Sequence, residues 1–319
     1  MKKLRILLIT QGISRAVQPI FSSGHEVVAV LESMPRNFSK TNKQNLLLKF
    51  LKSIRGIFSR NNTSLKQFCE KNSTPYNFIW KGNSKEIIPW IEGKKPDLIV
   101  VFSMSQLLKE DLLSIPSLGA INLHPSYLPS YRGPNPDFWQ YYEMEMNPGA
   151  TVHYIDAGED TGDIIFQEKT YIPLGTKSPE RLDRLIGEVG VPLLLKAIDA
   201  IAAGSVHRIV QPVQSQTLRA RNLKDEEHVK IIDWENWSIE RIWHVLRGTE
   251  LWLNAIPMPA GFFSGQRWSI QEYERTELPQ GNFGELGKYK KRQCVFARDG
   301  VIFIKVDFKI QKLILSILK

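Results

Sequence analysis

The sequence predicts an α/β fold, in which a doubly wound, mostly parallel sheet is followed by a small β-rich domain. Two observations lead to it. Short runs rich in Val, Ile and Leu alternate with helical segments through residues 1–204. Strands that are apolar along their whole length are typical of parallel sheets with helices on both faces. After a polar stretch at residues 205–220, Pro and Gly separate shorter segments that resemble strands.

The first domain is predicted to begin with a strand at residues 4–10. Gly12 then turns the chain, and Ser14 is the expected N-cap of the next helix. Further elements of the sheet follow in order along the chain. They are strands at residues 27–31, 97–102 and 120–123, with a helix at residues 105–113 between the last two.

Residues 151–155 and 163–168 complete the predicted sheet as a more exposed pair, because apolar and polar side chains alternate along them. A helix at residues 179–203 closes this domain, and Gly204 is typical of a helix C-terminus.

Residues 205–220 are predicted to be a linker, since Pro212 interrupts a run rich in Gln and Ser. Residues 221–319 are predicted to form the second domain, a small barrel-like unit. Its expected elements are a helix at residues 234–246 and strands at residues 268–273, 293–297 and 301–308.

The composition limits the class of protein. Of 319 residues, 42% are hydrophobic and 24% charged, which is typical of a folded globular chain and not of a disordered one. No uncharged apolar run reaches about 18 residues, so no membrane-spanning helix is predicted. Because Cys69 and Cys294 are the two cysteines, we expect no disulfide scaffold and a cytoplasmic location.

The net charge of +9 is concentrated in two segments. Residues 34–69 contain eight basic and no acidic residues, and residues 288–319 carry a net charge of +7, which leaves −6 elsewhere. Residues 46–58 also have apolar side chains at helical spacing. We expect this face to pack on its own domain or on a second subunit, so a homodimer is one alternative, and an anionic membrane is another.

The residues most informative for function end the strand at 120–123. Asn122 and His124 lie two residues apart, so their side chains point the same way, at the sheet edge where ligands bind. Asp160 follows in a loop bounded by glycines. An amide can stabilise an oxyanion, an imidazole can accept a proton, and a carboxylate can orient that imidazole. Asn122, His124 and Asp160 are therefore predicted to be the catalytic residues of an acyl transfer.

Two further points concern this prediction. No Gly-x-Ser-x-Gly nucleophile motif is present, which favours direct transfer without a covalent intermediate, and no metal site is expected. The alternatives are a structural Asn–His pair and an Asp that caps its own turn.

Together these residues resemble the folate-dependent N-formyltransferases, which include methionyl-tRNA formyltransferase, glycinamide ribonucleotide transformylase and amino-sugar N-formyltransferases. The Asn-x-His-x-Ser motif of that family is matched by Asn122, His124 and Ser126, and its catalytic Asp by Asp160. Residues 128–133 match its Leu-Pro-x-Tyr/Trp-Arg-Gly motif. The resemblance implies a Rossmann-like formyltransferase domain followed by an OB-like domain.

The resemblance also implies a co-substrate and roles for residues. The formyl donor would be 10-formyltetrahydrofolate, with Asn122 polarising the formyl oxygen, His124 acting as base or relay toward the amine, and Asp160 steering the proton. For Leu107 and Leu108, core packing is an equal alternative to pterin contact, and we expect His153 nearby to be structural. The implied folate-binding residues are Met104, Ser105, Gln106, Leu107, Leu108, Ile155 and Gly158.

The acceptor amine stays open between a nucleotide-linked amino sugar, initiator methionyl-tRNA and another primary amine. The basic segments favour an anionic acceptor, which includes tRNA. Pro125 after the catalytic His, and a Lys-rich insertion where tRNA enzymes have a Pro-, Gly- and Arg-rich loop, favour the sugar. A catalytically inactive relative with a binding role is the alternative from another class.

Five residues are predicted to bind the acceptor: Gly12, Ile13, Ser14, Ser126 and Arg132. The turn at residues 12–14 would hold a phosphate with the N–H groups of the next helix, and an ordinary turn is the alternative. Arg132 would contact the nucleotide or sugar, or else pin its own loop by a salt bridge.

Overall fold

A computed structural model describes residues 2–35, 63–80, 84–104, 106–277 and 281–310 of the chain. Most of the basic insertion, including its apolar segment at residues 46–58, lies outside the described residues. The chain divides into two compact units. The first unit contains Met1–Arg132, Gly149–Lys169 and Leu185–Leu218, and the second contains Gly133–Pro148, Thr170–Arg184 and Arg219–Lys319.

The first unit is built on a sheet whose seven described strands follow the order β3-β2-β1-β4-β5-β6-β7. Strands β1 to β5 are parallel, while β6 and β7 are antiparallel to their neighbours. The predicted doubly wound, mostly parallel sheet is therefore confirmed. The strands are β1 (Arg5–Thr10), β2 (Glu26–Ser33), β3 (Tyr76–Ile79), β4 (Leu98–Phe102), β5 (Ala120–His124), β6 (Gly149–Tyr154) and β7 (Ile164–Lys169).

Some helices of the described residues pack on this sheet, and the others belong to the second unit. On one side of the sheet, residues of β1 and β4 pack with Ile87 and Ile91 of α3 and Leu112 of α4 in one apolar cluster. Helix α7 packs against β6 and β7. The helices are α1 (Val17–Phe21), α2 (Leu65–Lys71), α3 (Ser84–Glu92), α4 (Glu110–Leu113), α5 (Pro136–Tyr142), α6 (Ser178–Leu182), α7 (Val191–Ala203) and α8 (Ile239–Thr249).

The predicted cap of α1 is wrong. Ala16 occupies the N-cap position without a side-chain cap, and the Ser14 hydroxyl accepts a hydrogen bond from Thr10 Oγ1 at 3.0 Å. Since Thr10 ends a buried strand, Ser14 satisfies a buried hydroxyl and leaves the helix uncapped.

The predicted helix at residues 179–203 is interrupted. A π-helical segment, Asp183–Gly190, separates α6 from α7. Pro192 lacks the N–H group that would continue the α-helical hydrogen-bond pattern, which favours a wider turn before it. The expected C-terminus is confirmed, because Gly204 ends α7 with a left-handed φ of 66°.

The second unit contains an antiparallel sheet of four described strands in the order β8-β11-β10-β9, as the predicted β-rich domain requires. Helix α8 packs on β8 and begins after Ser238, whose hydroxyl caps it. No helix of the described residues is long and apolar enough to cross a membrane. The strands are β8 (Arg267–Arg275), β9 (Leu286–Tyr289), β10 (Arg292–Ala297) and β11 (Gly300–Asp307).

Candidate active site

The first unit brings the three predicted catalytic residues together at the carboxyl end of β5. Asn122 and His124 alternate with the buried Ile121 and Leu123, so both project from the same side of the strand. The loop 155–163 between β6 and β7 carries Asp160 to them. The expected convergence of these three side chains is what the structure contains.

His124 is held in one tautomer by the main chain. Its Nε2 lies 3.1 Å from the carbonyl oxygen of Tyr131, and its side chain is only 6% exposed. A carbonyl only accepts hydrogen bonds, so Nε2 carries the hydrogen. The other ring nitrogen, Nδ1, faces Oδ1 of Asp160 at 3.5 Å. Proton exchange by this ring is therefore directed to the nitrogen that faces the carboxylate.

His153, expected to be a structural residue, contacts the site directly. Its Nδ1 donates to the Tyr154 carbonyl at 2.7 Å, which leaves Nε2 to accept from Asn122 Nδ2 at 3.2 Å. The same Nε2 lies 3.7 Å from Oδ1 of Asp160. Burial lowers the pKa of His153 to about 4, although the nearby Asp160 carboxylate acts in the opposite direction. At neutral pH the ring is thus an uncharged acceptor that orients the Asn122 amide.

The loop that carries Asp160 has an unusual backbone. Asp160 has a φ of 57°, in the left-handed region that costs energy for residues other than glycine. The Asp156 carboxylate bridges the loop, since it accepts from Gly158 N at 3.0 Å and Thr161 Oγ1 at 2.7 Å. Gly162 is required by space, because a Cβ there would lie 1.9 Å from the Tyr154 carbonyl oxygen.

The predicted folate-binding residues fall into one neighbourhood with different degrees of exposure. Met104, Leu108 and Ile155 pack in the same apolar cluster of the sheet, whereas Leu107 is 61% exposed. Leu108 is 7% exposed and contributes to the core, as one of its two expected roles requires. Gly158 lies in the Asp160 loop, and Ser105 lies outside the described residues.

Two further features lie near the predicted folate-binding residues. A cavity of about 630 Å³ lies at the amino end of β5, next to the end of α7. Ala120 and Ile155 of the apolar cluster line it together with Asp156 and Arg208, whereas Asn122, His124, Asp160 and residues 104–108 do not. Gln106 donates to the Ile79 carbonyl, but its buried Oε1 has no hydrogen-bond partner among the described residues. Those residues also contain no group of three or more His, Cys, Asp or Glu suited to a metal ion.

Two of the predicted acceptor-binding residues make hydrogen bonds within the protein. Ser126 is fully buried and donates to the Ser130 carbonyl at 2.7 Å, so it braces its own loop. Arg132 is 9% exposed and donates to Gln211 Oε1 at 2.8 Å and to the carbonyls of Pro212 and Val213. These contacts favour a structural role for both residues, because their polar atoms point into the protein. For Arg132, hydrogen bonds replace the predicted salt bridge.

The turn at residues 12–14 remains a candidate for substrate contact. Gly12 has a φ of 66° with open space around it, and Ile13 is 47% exposed at the end of β1. Helix α1, however, spans only the five residues Val17–Phe21, which weakens the argument from a helix N-terminus.

Sequence reasoning missed the contribution of the predicted linker. Three of its side chains bind the catalytic loops: Ser215 Oγ donates to the Pro129 carbonyl at 2.7 Å, Thr217 Oγ1 accepts from Tyr131 N at 2.6 Å, and Gln211 binds the loop of Asp160. The only signal in the sequence was the polar composition of the segment, which is equally typical of a flexible linker.

Comparison with known proteins agrees with this geometry. The model of the formyl transferase family matches residues 59–198. The methionyl-tRNA formyltransferase of Carboxydothermus hydrogenoformans is 31% identical over 226 residues, which cover 70% of this chain and 69% of that protein. The methionyl-tRNA formyltransferase of Alkaliphilus oremlandii is 29% identical over 296 residues, 91% of this chain and 86% of the relative.

The fold has solved counterparts. The crystal structure of WlaRD, a sugar 3N-formyl transferase in the presence of dTDP and 5-N-formyl-THF, superposes with a TM-score of 0.58 over 97% of this chain and 100% of the other, at 17% identity. At 17% identity this likeness shows the fold alone, so the assignment to a family rests on the matched family model and the sequence relatives. The chain belongs to the formyl transferase family, and its predicted activity as a folate-dependent N-formyltransferase is confirmed.

Proposed function

We propose that the protein transfers the formyl group of 10-formyltetrahydrofolate to the primary amine of a nucleotide-linked amino sugar, with Asn122, His124 and Asp160 as catalytic residues. One observation carries the catalytic assignment. Oδ1 of Asp160 lies within 3.7 Å of ring nitrogens of both His124 and His153, and His153 in turn holds the Asn122 amide.

Asn122 stabilises the charge that develops on the formyl oxygen. One N–H of its Nδ2 group donates to His153, and the second is available to an oxygen at the carboxyl end of β5. Because the neutral His153 fixes the amide with its nitrogen toward the site, this donor is in place before the reaction.

His124 and Asp160 receive the proton that the amine loses. As the amine nitrogen forms its bond to the formyl carbon, the bond from that carbon to N10 of the folate breaks, and a proton must leave the amine and reach N10. Nδ1 of His124 is the ring nitrogen able to accept it, and Asp160 at 3.5 Å stabilises the resulting imidazolium. The pair thus relays one proton without a covalent enzyme intermediate.

The donor occupies the cavity next to the apolar cluster. Leu113, Ala120 and Ile155 offer apolar walls for the flat pterin ring, and main-chain groups of the 155–163 loop border the same space. Ile155 and Asp160 belong to one short loop, so donor binding and catalysis share a support.

The choice of acceptor is carried by charge pairing on the C-terminal sheet. The basic segment 288–292 is the densest cluster of cations in the sequence. In the structure, Lys290 Nζ lies 2.5 Å from Glu274 Oε1, and Arg292 Nη2 lies 2.6 Å from Glu272 Oε1. Affinity for tRNA depends on cations that are free to neutralise phosphates. Two of the four cations in this segment are thus already paired, which lowers the charge that it offers to a tRNA and favours a small anionic acceptor such as a nucleotide-linked sugar.

Formylation of methionyl-tRNA is the second candidate. It is favoured by the name of relatives that are 29–31% identical over most of this chain. The two candidates differ in salt dependence, because an acceptor with many phosphate contacts loses affinity steeply as salt rises.

An acceptor panel tests the proposal. Purified protein and 10-formyltetrahydrofolate are incubated with dTDP-linked amino sugars, UDP-linked amino sugars or initiator methionyl-tRNA, and the release of tetrahydrofolate and the formylated product are measured. We expect turnover with at least one nucleotide sugar and only weak salt dependence. Formylation of the tRNA, with no nucleotide sugar converted, would overturn the choice of acceptor and leave the reaction class intact.

A further inference from the structure

Gln211 joins the loop that carries Asp160 to the loop that follows β5. Its side chain lies in the segment predicted to be a linker, yet Gln211 is only 7% exposed. Its Nε2 donates to the carbonyl oxygens of Asp160 at 3.1 Å and Gly162 at 2.6 Å. Its Oε1 accepts from Nη2 of Arg132 at 2.8 Å and from Nε at 3.3 Å.

We propose that Gln211 is a positioning residue, which holds Asp160 against His124 and thereby sets the rate of formyl transfer. The proposal rests on the catalytic role proposed above for Asp160. Gln211 contacts neither ring of the site, so any effect on catalysis passes through the backbone of the Asp160 loop.

The geometry of Asp160 explains why such support is needed. Its φ of 57° lies where a non-glycine residue stays only if its surroundings hold it. The Asp156 carboxylate binds the loop at Gly158 and Thr161, while Gln211 binds it at the carbonyls of Asp160 and Gly162. With the second of these supports lost, the loop can relax and move the Asp160 carboxylate away from the imidazole.

An amide is the side chain that this position requires. Its nitrogen supplies two N–H donors for two carbonyls, and its oxygen accepts from a guanidinium. Arg132 is itself fixed, since it also donates to the carbonyls of Pro212 at 2.9 Å and Val213 at 3.0 Å. The Asp160 loop is thus connected through Gln211 to the residue that follows Tyr131, whose carbonyl binds His124.

Gln211→Glu keeps the contact with Arg132 and removes the hydrogen bonds to the Asp160 loop. The carboxylate still accepts from Arg132, but it has no N–H for the carbonyls of Asp160 and Gly162 and repels both. The exposed Gln216, in the same segment, provides the matched control, because Gln216→Glu makes the same change of charge and size away from the loop. Gln211→Asn, which keeps the amide but shortens its reach, is the second variant.

The test is a cycle of rate measurements. The kcat of wild type, Gln211→Glu, Asp160→Ala and the double variant is measured with saturating donor and the nucleotide sugar that the panel identifies. We expect Gln211→Glu to lower kcat by about 100-fold, the usual cost of a displacement near 1 Å, with KM changed less than about threefold. In the Asp160→Ala background, Gln211→Glu should change the residual kcat by less than about threefold. Gln216→Glu should have the kcat of the wild type.

A second readout is independent of the acceptor. Amide hydrogen exchange is followed in peptides that cover residues 155–163, and we expect faster exchange in Gln211→Glu, an intermediate rate in Gln211→Asn and no change in Gln216→Glu. Equal fold losses of kcat in the wild-type and Asp160→Ala backgrounds, or unchanged exchange in this loop, would overturn the inference. Full activity of Asp160→Ala would instead contradict the proposed function.

Discussion

Nδ1 of His124 lies 3.5 Å from Oδ1 of Asp160, while Nε2 of the same ring is committed to the carbonyl oxygen of Tyr131. The ring therefore exchanges protons only on the side that the carboxylate faces. The same Oδ1 lies 3.7 Å from Nε2 of His153, so one carboxylate oxygen faces both histidines of the site. His124 and Asp160 should consequently act as one unit.

Single and double substitutions test this unity. We expect His124→Ala and Asp160→Ala each to lower kcat by about 10²- to 10⁴-fold, the usual contribution of general acid–base catalysis. Because both residues serve one proton transfer, the double variant should be no slower than the slower single variant. Tetrahydrofolate release at saturating substrates measures the three rates. Multiplication of the two losses in the double variant would mean that the residues act independently.

The positions of Asn122 and His124 were predictable, because they depend only on the geometry of one strand and on where it ends. Alternation along β5 places Asn122 and His124 on one side, and the carboxyl ends of parallel strands are where such residues converge. The role of Arg132 was not predictable, because its hydrogen-bond partners are distant along the chain. Arg132 is held by residues 211–213, and nothing in either sequence segment alone indicates that they meet.

The fold shows the same distinction. Strands with continuous apolar runs, such as β1 and β4, were found from the sequence. The edge strands β3 and β9 were missed, since they are only four residues long and Asn77 in β3 and Lys288 in β9 interrupt their apolar runs. Of the helix predicted at 105–113, the described residues form only the part Glu110–Leu113. Residues 106–109 are not helical.

The cavity proposed to hold the pterin predicts a difference between two isoleucines. Ile155 and Ile115 are both half-buried against the same apolar cluster, but only Ile155 lines the 630 Å³ cavity. Replacement by Ala should destabilise both variants by about 1–3 kcal/mol. We expect Ile155→Ala in addition to raise the KM for 10-formyltetrahydrofolate by about tenfold, since a lost pterin contact of about 1.4 kcal/mol has this effect. A KM that rises equally in Ile115→Ala would place the donor elsewhere.

Gly162 offers a test of the loop geometry. A Cβ at this position would lie 1.9 Å from the Tyr154 carbonyl oxygen and 2.8 Å from its carbon, so Gly162→Ala must displace the backbone between β6 and the Asp160 loop. We expect a loss of about 1–3 kcal/mol in the free energy of unfolding and at least about a 100-fold loss of kcat.

Gly187 is the matched control for this substitution. It lies in the π-helical segment, where an added Cβ would meet only Arg15 Cδ at 4.0 Å. Gly187→Ala should leave kcat unchanged and leave the unfolding free energy equal or up to about 1 kcal/mol higher, since alanine favours helices. Urea unfolding and initial rates provide both quantities. Similar damage from both substitutions would contradict the steric argument.

Two buried histidines predict how stability depends on pH. Burial lowers the pKa of His153 and that of His244 to about 4, below the value near 6.5 of an exposed imidazole. In the folded protein His244 Nδ1 accepts from Gly175 N at 2.9 Å, as His153 Nε2 accepts from Asn122, and both bonds need the neutral ring. The unfolded chain therefore binds protons at a higher pH than the folded one.

The sign follows from proton linkage. Between about pH 6.5 and pH 4 the unfolded state holds more protons, so the free energy of unfolding falls as the pH drops, by up to about 1.4 kcal/mol per pH unit for each histidine. Above pH 6.5 this contribution is fully present. His244→Asn keeps an acceptor near Gly175 N and removes this titrating group. Its free energy of unfolding should therefore depend less steeply on pH, by the contribution of one histidine. The variant His207→Asn, at an exposed position, is the control and should show the pH dependence of the wild type. Urea unfolding at half-unit steps from pH 4.5 to 7.5 measures these slopes, and parallel curves for wild type and His244→Asn would mean that His244 is not held neutral by the fold.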